Sequence, residues 1–185
     1  MNTTPPARVF IGIKIANEIA RDLAEFAHPL RGHDVRLVQH DDIHLTIVPP
    51  WNEPDTTGAA TALQHAISDF KPLLLTFVHL GYGPNLREPR LLWAECVAST
   101  ELADLRTVLL TVYGKSDSRP FVPHVTLARV RRGGHALARH NPIDRTVLFT
   151  QFVTSVELFQ SPPQGKCGYH VLASLPLGQL SMAST

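Results

Sequence analysis

Two five-residue stretches about eighty positions apart carry one alternation: Ile43-His44-Leu45-Thr46-Ile47 and Pro123-His124-Val125-Thr126-Leu127. A period of two is the mark of a strand with one buried face. On such strands Leu45, Ile47, Val125 and Leu127 point into a core, while His44, Thr46, His124 and Thr126 share the other side. A fold that satisfies both must bury one face of each strand and leave two imidazoles and two hydroxyls to meet across a cleft. With ten histidines in the chain, about one His-x-Thr is expected by chance, so the triplet alone decides little. Its placement decides more. Arg8 to Leu23 and Arg90 to Leu105 each run Arg, apolar strand, polar break, then a helix opening on Glu-Ile-Ala or Glu-Leu-Ala. The offset between these segments is close to that between the histidines, which reads as an internal duplication supplying one motif strand from each half.

Length and charge narrow the rest. A chain of 185 residues builds one domain with a sizeable core. A formal net charge of +1 excludes a bulk polyanion-binding tail, so any phosphate recognition is local. Cys96, within an apolar strand, and Cys167, in a glycine-flanked turn, offer no disulfide framework, and reduced thiols in the cytoplasm are the expectation. The first residues lack a leader's charged and apolar regions, and no apolar run is long enough to cross a bilayer. The expected protein is a cytoplasmic monomer.

Periodicity predicts strands at Arg8–Ile15, Val35–Leu37, Ile43–Val48, Leu73–Leu80, Leu91–Val97, His124–Val130, Val147–Phe149, Ser155–Phe159 and Tyr169–Leu175. Helices are expected over Asn17–Pro29, over Thr57–Phe70, from a Ser99 or Thr100 cap to Tyr113, and for one or two turns over Gly133–His140. Pro49-Pro50 reads as the stop of the first motif strand, and Gly81-Tyr82-Gly83 as a turn. Strands joined by short loops predict an α+β arrangement of mixed or antiparallel sheets.

The chemistry follows from the side chains. Imidazole titrates near neutrality, so one histidine serves as base while the other serves as acid. Hydrolysis of a 2′,3′-cyclic phosphate needs that division, with an optimum between about pH 5.5 and 8 if both hold the reference value. Thr46 and Thr126 are candidate donors to the charge developing on the phosphate oxygens. No cysteine pair, His-Glu-x-x-His or other ligand spacing suggests a metal, and no cofactor is expected. Arg129 is a candidate substrate contact through a phosphodiester; Trp51 is a candidate for stacking on a base, with packing under its loop the favoured role.

These residues resemble the two-histidine (2H) phosphoesterase superfamily, in its RNA 2′,3′-cyclic phosphodiesterase branch, formerly called 2′-5′ RNA ligases. Val9–Ile13, Arg36–Thr46, Leu80–Gly83 with Pro89–Trp93, Val156–Ser161 and Gly168-Tyr169 carry the likeness; Arg119–Arg129 is the most specific stretch. The resemblance implies a two-lobed, pseudo-symmetric LigT-like fold with the motif strands lining a central cleft and helices outside, all within one domain spanning 1–185. It implies hydrolysis of RNA cyclic phosphate ends to 2′-phosphates, with His44 as proton donor and His124 as acceptor, and 2′-5′ joining as the reverse. The implied partners are RNA ends or nucleotides bearing a 2′,3′-cyclic phosphate, and Phe121 and Tyr169 join the candidate substrate contacts. A small nucleotide substrate such as ADP-ribose 1″,2″-cyclic phosphate, or a binding module without turnover, are the alternatives. Val48-Pro49-Pro50-Trp51 departs from the family pattern at the rim of the cleft.

Overall fold

The computed structural model describes residues 5–163, 166 and 168–178. In chain order its elements are β1 (Ala7–Lys14), α1 (Asn17–Glu25), β2 (Val35–Leu37), β3 (His44–Glu53), α2 (Thr56–Ile67), β4 (Leu73–Gly83), β5 (Leu91–Cys96), α3 (Thr100–Val112), β6 (His124–Val130), α4 (Gly134–His140), β7 (Asp144–Val153), β8 (Ser155–Gln160) and β9 (His170–Pro176). The strands form one sheet in the order β7-β4-β5-β6-β3-β1-β8-β9, with β2 also on β6. Its pairings are all antiparallel. The expected α+β class is present, as one continuous open sheet.

Local chemistry sets the helix starts. The Asp55 carboxylate accepts from Gly58 N at the head of α2, and the Ser99 hydroxyl accepts from Leu102 N at the head of α3. Each answers one of the amide donors that a first turn leaves open. Leu23, Leu63, Ile67, Leu102, Leu105 and Leu109 point inward from the helices. They share one cluster with Leu45, Ile47, Val125 and Leu127 of the motif strands. The helices therefore cover the sheet face to which the apolar half of each motif points, and alternation leaves His44, Thr46, His124 and Thr126 on the uncovered face.

Helix α2 ends at Ile67, three residues before the expected Phe70, and four other departures from the sequence expectation are larger or change the reading. Helix α1 stops at Glu25, and Pro29 sits in a separate 3₁₀ turn, His28–Leu30. Strand β3 runs through both prolines to Glu53. Its register against β1 passes from Val9–Trp51 to Ile11–Val48, so Pro49 and Pro50 together oppose Phe10 in a bulge, where the ladder needs no proline N–H. Gly81-Tyr82-Gly83 is strand, not turn, because β4 continues to pair with β5 through all three residues. A Cβ at Gly83 would overlap the Trp93 ring across that pair, so the glycine lets the indole lie against the strand. Strand β7 extends well beyond Val147–Phe149, held by pairing with β4 over most of its length. Cys167 lies outside the described residues, whereas Cys96 is buried in β5, where desolvation pushes its thiol pKa upward.

Gly12 controls how closely β1 approaches β3. A Cβ built there would sit 2.6 Å from the Leu45 carbonyl oxygen, a backbone atom in the middle of the first motif. Gly12→Ala is expected to lower stability by about 1–3 kcal/mol through overpacking. Chemical denaturation reads this as a lower midpoint at unchanged slope; an unchanged midpoint would show that β3 shifts freely away from β1.

Candidate active site

Strands β3 and β6 meet at a single register position, Leu45 opposite Val125. Antiparallel pairing then sets His44 beside Thr126 and Thr46 beside His124, all four on the uncovered face. A small cavity of about 30 Å³ is lined by these four residues with Asp42, Val38, Arg129 and Tyr169. Six of the eight residues singled out from the sequence thus converge. Phe121 lies in an adjoining cavity beside His124. Trp51 does not join them: its ring packs at 5.0 Å from Tyr113, under the Lys115 ammonium. Its Nε1 donates to Glu53. Trp51 pairs with the buried Val9 of β1, so its ring lies on the helix-covered side of the sheet and lines neither the central cavity nor its two neighbours.

The two imidazoles are held alike. Nδ1 of His44 lies 2.6 Å from the Asp42 carbonyl oxygen, and Nδ1 of His124 lies 2.7 Å from that of Val122. A carbonyl only accepts, so in each ring Nδ1 carries the hydrogen and Nε2 keeps its lone pair, free to take up a proton. Each ring also rests on an aromatic from the neighbouring strand: Phe10 of β1 at 4.7 Å from His44, and Trp93 of β5 at 4.3 Å from His124. No hydrogen bond engages either threonine hydroxyl among the described residues, so both remain available as donors.

Their electrostatics differ. Phe10, Phe159 and Tyr169 pack around His44, and this burial pulls its pKa from 6.5 down to about 4; the Asp42 carbonyl opposes the shift and Arg129 adds to it. His124 is also lowered by burial, but less enclosed. Glu95, directly opposite it across β5 and β6, favours its charged form, against Arg129 and Arg119. In the empty cleft at neutral pH both rings are uncharged.

Two larger cavities lead away from the centre. The one beside His44, about 680 Å³, is lined by Arg8, Arg36, Arg129, Lys166 and Tyr169 among others. The one beside His124, about 530 Å³, is largely apolar, with Pro49, Pro84, Leu91, Trp93, Phe121 and Val122. Its cations are engaged: Asp117 bridges Arg119 and Arg106, and Arg119 first and then Arg106 hold that carboxyl down to about 2. The Arg106 guanidinium also lies 4.6 Å over the Phe121 ring. Thr46 and Pro50 border both arms.

Several contributors have no signature in the sequence. Asp42 acts on His44 through its backbone carbonyl, and its carboxylate accepts from the backbone N–H groups of Gly168 and Tyr169 at 3.2 and 2.9 Å. That clamp brings Tyr169 against His44 from a distant part of the chain. Arg8, Arg36 and Glu95 read as ordinary polar positions on strands until the sheet order is known. Among the described residues no three His, Cys, Asp or Glu side chains converge on a metal-sized point. No helix there is long and apolar enough to cross a membrane.

The model of the 2′-5′ RNA ligase superfamily matches residues 18–155, a span holding both motifs. The chain belongs to that superfamily. The RNA 2′,3′-cyclic phosphodiesterase of Thermotoga maritima is a superfamily relative, 28% identical over 131 residues, which cover 67% of this chain and 70% of that protein. That of Methanocaldococcus jannaschii is 25% identical over 126 residues, 67% of this chain and 72% of the relative. The superfamily's fold is shared with TT0787 of Thermus thermophilus, at a TM-score of 0.74 and 23% identity, covering 92% of this chain and 98% of that one. Escherichia coli LigT complexed with 3′-AMP aligns at a TM-score of 0.73 and 23% identity, covering 94% and 99%. The LigT-like architecture is thereby established.

Two outcomes are expected from this geometry. Glu95→Gln removes the carboxylate that favours charged His124, so the pKa of His124, followed by its ring proton shifts in NMR, should fall; an unchanged value would show that Glu95 is screened. The depressed pKa of His44 links folding to pH: the unfolded ring takes a proton near 6.5 and the folded one only near 4. Stability should therefore be intact above pH 6.5 and decline as pH falls from 6.5 to 4, by at most about 3 kcal/mol from this group. Replacing His44 by Phe should shrink that acid-side loss in denaturation curves, and an undiminished loss would assign it to other groups.

Proposed function

We propose that the protein hydrolyses the 2′,3′-cyclic phosphodiester at RNA 3′ ends to a 2′-phosphate, by two-histidine acid–base catalysis that needs no metal. The observation that carries this reading is the pair of Nδ1-anchored imidazoles, with two hydroxyls and Arg129, around one cavity. The names of the Thermotoga and Methanocaldococcus relatives support the substrate class. We also read the chain as one unit of two duplicated halves, each supplying a motif strand.

The phosphate sits between the motifs. Nε2 of His124 takes a proton from water as the water oxygen bonds to phosphorus. The bond from phosphorus to O3′ breaks, and the O3′ atom takes the proton carried on Nε2 of His44. A 3′-hydroxyl and a 2′-phosphate result, with the proton states of the two rings exchanged and restored from solvent. Thr46, Thr126 and Arg129 offset the charge on the non-bridging oxygens. A 5′-hydroxyl in place of water forms a 2′-5′ linkage by the same transfers. Since His44 is uncharged in the free protein, its ring takes up a proton from solvent as the substrate binds, because the anionic phosphate raises its affinity for one.

Phosphorus NMR of the product from a nucleoside 2′,3′-cyclic phosphate tests the reading. A 2′-monoester is expected; a 3′-monoester or an unconsumed substrate would refute it. His44→Ala and His124→Ala should each lower turnover by at least about 10²-fold, and Thr46→Ala and Thr126→Ala by about 10- to 10³-fold. Near-normal rates in a folded histidine variant would remove that ring from the mechanism. Activity should survive chelation; loss restored by one divalent ion would count against the metal-free scheme.

The pH dependence separates the roles. Values of kcat/KM report the free protein, so the bell should lie between about pH 4 and 6.5, more acidic than unperturbed histidines would give. The curve for kcat should shift upward, because bound phosphate favours both imidazolium ions. His44→Ala should lose the alkaline limb and His124→Ala the acid limb, the limbs being macroscopic properties of the pair. The opposite pattern would exchange the two roles.

A further inference from the structure

We propose that the arm beside His44 holds the phosphodiester backbone upstream of the cyclic end, so that the preferred substrate is an oligonucleotide. The proposal rests on the hydrolase reading above and adds the direction in which the chain lies. Arg36 stands directly opposite Arg129 across β2 and β6, which puts two like charges side by side on one face. Such pairs are unfavourable. Among the described residues no carboxylate lies within ion-pair distance of Arg8, Arg36 or Arg129. On the opposite arm Arg106 and Arg119 are both engaged by Asp117. A chain whose net charge is only +1 has thus gathered open cations on one side of its cleft and closed them off on the other.

Their number exceeds what the cyclic ester needs. That ester carries one negative charge, and Arg129 already reaches the central cavity. Arg8 and Arg36 line the arm but not the centre, so they face further anions. The same molecule supplies them, one phosphodiester for every upstream nucleotide. The orientation has a mechanistic consequence: the ribose that bears the chain also bears the departing O3′. A chain in this arm puts that oxygen on the side of His44 and admits water from the side of His124. In this pose His44 is the proton donor, the role that the family resemblance also implies.

Uridine 2′,3′-cyclic phosphate, its 5′-phosphorylated form and oligouridylates of two to four nucleotides with the same end form the test set. The oligonucleotides should exceed the nucleoside by at least about 10-fold in kcat/KM at low salt. Their advantage should fall with added KCl, with a log–log slope steeper by about 0.7 per phosphate contact. Arg8→Ala and Arg36→Ala should each close much of the gap, and both side chains are exposed, so these variants test charge and not packing. Arg119→Ala removes the same charge from the other arm and should leave the ratio as it was. Affinity for 2′-phosphate products of each length, measured by calorimetry, should rank in the same way. Length-independent rates and affinities would overturn the proposal, as would an unchanged ratio in both variants. A 5′-phosphorylated nucleotide matching the tetranucleotide would also overturn it, reducing the arm to a site for one terminal phosphate. Length-dependent product binding without turnover of any cyclic end would uphold the arm and refute the hydrolase reading.

Discussion

The contact between Leu45 and Val125 organises the molecule. Strands β3 and β6 share that one register position, and both side chains are fully buried. On one side of the contact, apolar residues of both strands enter a common core under four helices. On the other side, His44, Thr46, His124 and Thr126 come together because antiparallel partners face the same way. A slip of one residue in either strand would send its imidazole into the core and its leucine or valine into water. The burial that stabilises the sheet is thus the same constraint that aligns the candidate site. Beyond the contact β3 pairs with β1, and β6 with β2 and β5. The strands are free to part there, and the cleft arms open on either side.

Holding an imidazole this way has an electrostatic consequence. Each ring is fixed by a backbone carbonyl at Nδ1 and by an aromatic against its face, which gives precise direction to Nε2 but removes water. For His44 the loss of hydration outweighs the carbonyl and lowers the pKa to about 4. At neutral pH both imidazoles are therefore uncharged, and an anion bound between them, as the proposed reaction requires, would favour their charged forms. Arg129 assists in the bound state and opposes protonation in the free state.

Much of this was legible in the residues because it depends on periodicity. The motif strands, the buried partners Leu45 and Val125, and the helix faces built on Leu63 and Leu105 all follow from spacing alone. The failures have physical causes. Pro49-Pro50 reads as a strand stop because proline lacks a donor, yet a bulge opposite Phe10 removes the need for one. Gly81-Tyr82-Gly83 reads as a turn because glycine is permissive, yet Gly83 is there to make room for Trp93. Trp51 reads either as a base-stacking ring or, with more weight, as packing under its loop, and its pairing with buried Val9 sets it on the packing side, against Tyr113. Asp42 contributes to His44 through a backbone oxygen, which any residue type would supply, so its identity carried no sign of that role.

The candidate site combines two matched motifs with two unmatched surroundings. His44 and His124 have the same carbonyl anchor and the same kind of aromatic support, so the core by itself does not dictate which ring gives a proton and which takes one. A cyclic phosphate end is not symmetric: one side of phosphorus carries the ribose and the chain, and the other is open to water. Discrimination must therefore come from what surrounds the pair. Arg8 and Arg36 on one arm, and Phe121 with its neutralised arginines on the other, give the cleft a polarity that the motifs lack. Glu95 beside His124 and the aromatic cage around His44 add a second difference, in proton affinity. In the proposed reaction a phosphate between the matched motifs would be aligned by the charges on the rest of its own chain.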